Sequence, residues 1–106
     1  MPASGAATAV LESPPETVLA VVRKVLTSGK HTIDEEVGGS DQIAFVTKRT
    51  MLSWPLDGVA TVVVVDGKTS LSILLREQGK HDAALMDGVK NKKKAQKLVD
   101  EVTAAL

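Results

Sequence analysis

Few residues in this chain are of types that do chemistry. Its two imidazoles, His31 and His81, stand fifty positions apart, and Asp34, Glu35 and Glu36 follow closely on His31. A histidine beside a carboxylate is the minimal acid–base pair, and with a second histidine it begins a metal site. The spacing matches no ligand motif, so both histidines read as structural, with no metal, no cofactor and no catalytic residue assigned. Ser28, Ser40, Ser53, Ser70 and Ser72 offer hydroxyls, but none lies in a nucleophile elbow or beside a base that would activate it. Gly38-Gly39-Ser40 has phosphate-nest composition, yet it joins two extended segments and does not open a helix, which makes it a turn.

Charge and exposed apolar surface remain as clues. Lys90, Lys93, Lys94 and Lys97 recur at spacings of three and four and share one helical face, where they can meet the phosphates of nucleic acid or an anionic membrane surface. The chain carries 13 basic and 13 acidic residues, whereas residues 88–106 hold five lysines against two acids. That segment is therefore +3 and the remainder −3, so the surface is polarised. A solvated face kept for solubility explains the same run. The lysines also stand near a helix start, where the dipole disfavours cations, and Asp87 as N-cap offsets this. Trp54, beside Pro55, fits a partner anchor, the lip of an apolar pocket or core filler. The run from Val62 to Val65 is apolar on both faces, and Val62 and Val64 are candidates to meet a ligand or a partner.

Composition removes several function classes. Phe45 and Trp54 are the only aromatic residues, which counts against a base-stacking nucleic-acid module. Without cysteine there are no disulfides, no thiolate catalysis and no Cys-type zinc site. Met1 to Ala9 has no basic n-region, and the longest apolar block, Val62 to Val65, is far too short to cross a bilayer. These features lead to the expectation of a cytoplasmic protein. At 106 residues the chain has the size of one domain, 1–106, with an aliphatic core.

The elements that must position these residues follow from periodicity. Ala7, Ala9 and Leu11 alternate as a first strand. Ser13-Pro14-Pro15-Glu16 reads as a capping box, with Ser13 as N-cap and Pro14 at the first helical position, opening a helix over 14–28 that Gly29 ends in the left-handed conformation. Strands are expected over 31–37 and 42–52, the second leaving the core after Val46. Trp54-Pro55 and Asp57-Gly58 then connect into a strand over 59–66. Asp66-Gly67 is a hairpin turn leading to Leu71, Ile73 and Leu75, and Ala95, Leu98, Val99, Val102, Ala105 and Leu106 form the stripe of a last helix. The order is β-α-β-β-β-β-α, an α+β class with an antiparallel sheet of about five strands and two helices on one face.

This topology resembles the TATA-binding-protein-like arrangement and a trimmed helix-grip (Bet v1 and START-like) fold. Ser53-Trp54, the Asp66-Gly67 hairpin and the run from Asp87 to Lys93 are together similar to a family of small bacterial domains of unknown function. That family has a Ser-Trp-Gly-like motif in mid-sheet and an Asp-Trp-Gly-Lys-Asn-Lys-Lys-like motif before the C-terminal helix. Here Pro55 replaces a small residue, and the second motif lacks tryptophan. The resemblance implies the fold and no activity. The leading expectation is a non-enzymatic binding or protein-interaction domain, with a homodimer or protein partner on the valine strand. The alternatives are a small lipophilic-ligand carrier of helix-grip type, and nucleic-acid or anionic-surface contact through the lysine cluster, aided by Lys48 and Arg49.

Overall fold

The computed structural model describes residues 4–36, 39–48, 55–77 and 87–106, with the backbone alone described at 87–89. Its elements are β1 (Ser4–Leu11), α1 (Pro15–Ser28), β2 (Thr32–Asp34), β3 (Gln42–Val46), β4 (Leu56–Val65), β5 (Lys68–Glu77) and α2 (Asp87–Ala105), in the expected order. The strands form one antiparallel sheet, β1-β5-β4-β3-β2. Alternation sends Ala7 and Leu11, Ile43 and Phe45, Leu56, Ala60 and Val62, and Leu71, Ile73 and Leu75 to the inner face. There they form one core with Val18, Val22 and Leu26 of α1 and Ala95, Leu98, Val99 and Val102 of α2, so both helices cover the same side. Among the described residues no helix is long and apolar enough to cross a membrane.

The start of α1 differs from the capping-box expectation. Pro14, not Ser13, is the N-cap, in extended conformation (φ −60°, ψ 153°) and without a side-chain cap, and Pro15 opens the helix. The cause is Pro15, which excludes its predecessor from the helical region. The Ser13 carbonyl instead accepts a 2.6 Å hydrogen bond from the Thr69 hydroxyl, tying the helix entry to β5.

The end of α1 is also displaced by one residue. Gly29 has φ −80°, and Lys30 takes the left-handed conformation at φ 63°. Lys30 N–H donates to the Thr27 carbonyl and His31 N–H to the Leu26 carbonyl, both at 3.0 Å, which is the Schellman pattern with lysine in the position glycine usually fills.

The second strand is shorter than expected, three residues in place of seven. β3 is also shorter than the expected 42–52, ending at Val46, the point after which that segment was expected to leave the core. β4 begins at Leu56, so Asp57-Gly58 lies inside a strand and is not a turn. Gly58 sits opposite Phe45, and a Cβ there would lie 2.3 Å from the ring's Cζ, so the ring occupies the space above the glycine. Asp66 (φ 52°) and Gly67 (φ 75°) form the expected hairpin turn with both residues left-handed. α2 takes in Asp87 as its first residue, which puts Asp87 inside the helix and not at the cap.

Candidate ligand cleft

α2 is seated on β1 and β5 by two local features. A Cβ on Gly5 would lie 2.1 Å from the Lys92 backbone nitrogen, so only glycine lets the helix backbone come this close to β1. Nearby, the buried Asn91 amide donates a 3.2 Å hydrogen bond to the Glu77 carboxylate, pinning the helix start to the end of β5. With the helix fixed there, its flank stands away from the end of α1 and from the outer end of β3.

The space between is a cleft of about 380 Å³. Leu75 of β5 and Leu98 of α2, both buried, border it on the core side. Lys94, Lys97 and Glu101 line it from α2, Thr47 and Lys48 from the end of β3, and Gly29 and His31 from the link between α1 and β2. The volume lies within the range of small-molecule sites. Among the described residues the lining carries three lysines and one carboxylate.

His31 reaches the cleft because the Schellman turn reverses the chain two residues before it. Its Nδ1 accepts a 3.1 Å hydrogen bond from the Lys48 N–H. A backbone N–H can only donate, so the ring proton sits on Nε2. The Cδ2–Nε2 edge lies against Gly29, where a Cβ would approach both atoms to 2.9 Å, and the ring tilts at 55° to Phe45 with centroids 6.4 Å apart. Burial lowers the His31 pKa below 6.5, the Lys48 charge lowers it further, and Glu101 opposes them. The imidazole therefore stands in the cleft neutral at pH 7, its basic lone pair already engaged.

The sequence-derived candidates separate in space. Lys94 and Lys97 line the cleft, whereas Lys90 and Lys93 are exposed outside it. Glu35 binds Arg23 at 2.6 Å and makes no pair with His31. Val62 is 3% exposed within the core, so it is not available to a partner. Val64, on the same face, is 58% exposed where β4 runs past the core. Val64 pairs with Thr69, six residues along β5 from Leu75, so the valine run lies about 20 Å from the cleft. Trp54, Ser53, Arg49 and His81 lie outside the described residues. Among the described residues no three of histidine, aspartate and glutamate gather to hold a metal ion. Gly29, Thr47, Leu75, Leu98 and Glu101 carried no signal in the sequence as site residues, because each reads as an ordinary cap, strand or helix position.

No family model and no curated protein matches the sequence. Among solved structures the chain is similar to Ara h 8.0201, with a TM-score of 0.53 at 9% identity over 99% of this chain and 97% of that one. It is also similar to TTHA0849 from Thermus thermophilus, at 14% identity over 96% of this chain and 98% of that one, with a TM-score of 0.47. The first likeness is one of fold, the helix-grip arrangement in which a C-terminal helix lies across an antiparallel sheet.

Proposed function

We propose that the chain is a non-enzymatic binding domain that takes a small, largely apolar ligand into the cleft between α2 and the sheet. The observation that carries this reading is the 380 Å³ cleft at the edge of the helix–sheet contact, bordered by the buried Leu75 and Leu98. The groups in the cleft favour binding over catalysis. The Nδ1 lone pair of His31 is taken by the Lys48 N–H, and the Thr47 hydroxyl accepts a 2.8 Å hydrogen bond from the Leu56 N–H, so neither stands as a ready base or nucleophile.

The test is titration of the intact chain with the uncharged fluorophore N-phenyl-1-naphthylamine. Saturable binding, weakened by Leu98→Phe with the circular dichroism spectrum retained, is the expected result. Absence of saturable binding to the unaltered chain sinks the reading.

A second reading, a homodimer or protein partner on the outer sheet face, is favoured by Val10 and Val63. Both flank Ser70 in the register and are 65% and 47% exposed. Sedimentation at high concentration tests it: a strict monomer, unchanged by Val63→Lys, removes the homodimer form.

A further inference from the structure

We infer that the cleft selects an aliphatic chain ending in an oxyanion, with Lys48, Lys94 and Lys97 receiving the head and the chain running past Gly29 into the hollow between the two helices. This rests on the reading of the cleft as a ligand site and names what enters it. The head assignment comes from convergence. The lysines come from two separate elements, Lys48 from the end of β3 and Lys94 and Lys97 from α2, and among the described lining residues Glu101 is the one carboxylate. Lys94 is half-buried, and partial removal from water strengthens an ammonium–oxyanion contact relative to one on an open surface, while Lys48 and Lys97 reach the cleft from exposed positions. The neutral His31 ring carries its proton on Nε2, which adds a donor and no acceptor.

The tail assignment comes from continuity. A second hollow of about 460 Å³ lies between the ends of α1 and α2, walled by Val25, Ala104 and Ala105 with Lys24 and Ser28, and it shares Gly29 and Glu101 with the cleft. The two spaces therefore border on the same two residues, and the second is lined mainly by small apolar side chains and the aliphatic stem of a lysine. A free inorganic anion would leave this space unused. A nucleic acid would engage the whole lysine stripe, whereas of its four lysines Lys94 and Lys97 line the cleft and Lys90 and Lys93 do not.

The experiment is calorimetric titration of the intact chain with octanoate, octyl phosphate, 1-octanol, acetate and inorganic phosphate at low salt, and with a short DNA duplex. One or both eight-carbon anions are expected to bind at least ~10-fold tighter than 1-octanol, the scale of one charge-assisted hydrogen bond. Whichever binds tighter tells carboxylate from phosphate as the natural head. Lys97→Met and Lys48→Met, both at exposed positions, should each remove most of that advantage, read as the ratio of anion to 1-octanol affinity within each variant, and Glu101→Gln should increase it. Equal binding of 1-octanol and the anions overturns the head assignment while the cleft reading stands. Acetate or phosphate binding as tightly as the eight-carbon anions overturns the tail assignment, DNA outcompeting them overturns both, and no binding by any chain compound removes the cleft reading as well.

Discussion

The imidazole of His31 occupies the place where a side chain on Gly29 would be: a Cβ there would meet Cδ2 and Nε2 at 2.9 Å, although the backbone of Gly29, at φ −80°, would accept any residue. Glycine is therefore used at this position to admit a ring and not to make a turn. Gly29→Ala should displace the ring and lose the Lys48 N–H···Nδ1 bond and the Phe45 contact, together about 1–3 kcal/mol. The stiffer unfolded chain returns ~0.4–1 kcal/mol. The expected net loss is about 1 kcal/mol by urea unfolding, with the NMR-detected His31 pKa rising toward 6.5 as the ring leaves its buried site. A more stable variant with an unmoved His31 titration would contradict this.

Lys30 holds the left-handed conformation at φ 63°, which costs a residue with a Cβ roughly 1–2 kcal/mol. Lys30→Gly keeps both Schellman hydrogen bonds and removes that cost, so it should stabilise the chain by about 1 kcal/mol, less the backbone entropy glycine loses on folding. A lowered urea midpoint would show that the lysine side chain contributes more than its backbone strain.

The lowered pKa of His31 fixes the sign of a pH dependence. Between its ordinary value of 6.5 and its folded value, the unfolded chain holds a proton that the folded chain does not. His31 therefore lowers stability as pH falls from about 6.5 through the folded value and contributes no slope above 6.5. The groups facing it are Lys48 from β3 and Lys94, Lys97 and Glu101 from α2; Lys48 resists its protonation and Glu101 favours it. Urea midpoints between about pH 7.5 and pH 5 should drop more for the unaltered chain than for His31→Gln. Identical slopes would show that the ring titrates as though exposed. Glu101→Gln should lower the His31 pKa further.

Phe45 and Gly58 are cross-strand neighbours that behave as one packing unit. A Cβ on Gly58 would lie 2.3–2.8 Å from three ring atoms, and Phe45, 2% exposed, is held within the core. Gly58→Ala should cost about 1–3 kcal/mol by overpacking. Combining it with Phe45→Leu should cost less than the sum of the two single changes, because the smaller side chain frees the space. Additive costs would mean that the ring yields elsewhere.

Element order and face alternation were legible in the sequence because they follow from local periodicity, which the helix stripes and the Asp66-Gly67 turn both express. Positions set by distant contacts were not. Asp57-Gly58 has turn composition, and what makes it strand is a ring thirteen positions earlier in the chain. Gly29 has cap composition, and what requires it is the His31 ring beyond the turn. The lysine stripe shows the same division. Spacing put Lys90, Lys93, Lys94 and Lys97 on one helical face, but which of them face the cleft depends on how α2 sits, and that is set by Gly5 and by the Asn91–Glu77 bond.

The valine run offers the sharpest contrast between pattern and burial. Val62 and Val64 are two residues apart on the same face of β4 and are indistinguishable by alternation, yet one is 3% and the other 58% exposed. The strand simply outruns the helices beyond Val62. Val62→Ala should cost about 1.5–3 kcal/mol, through two methyl groups' worth of lost burial and the cavity left behind. Val64→Ala should fall within ~0.5 kcal/mol of the unaltered chain. Urea unfolding of both variants at a dilution where only monomer is present reads this directly. If Val64→Ala proves as costly as Val62→Ala, the end of β4 is covered in solution by something beyond the helices, and repeating the measurement at rising protein concentration tells whether that cover is a second copy of the chain.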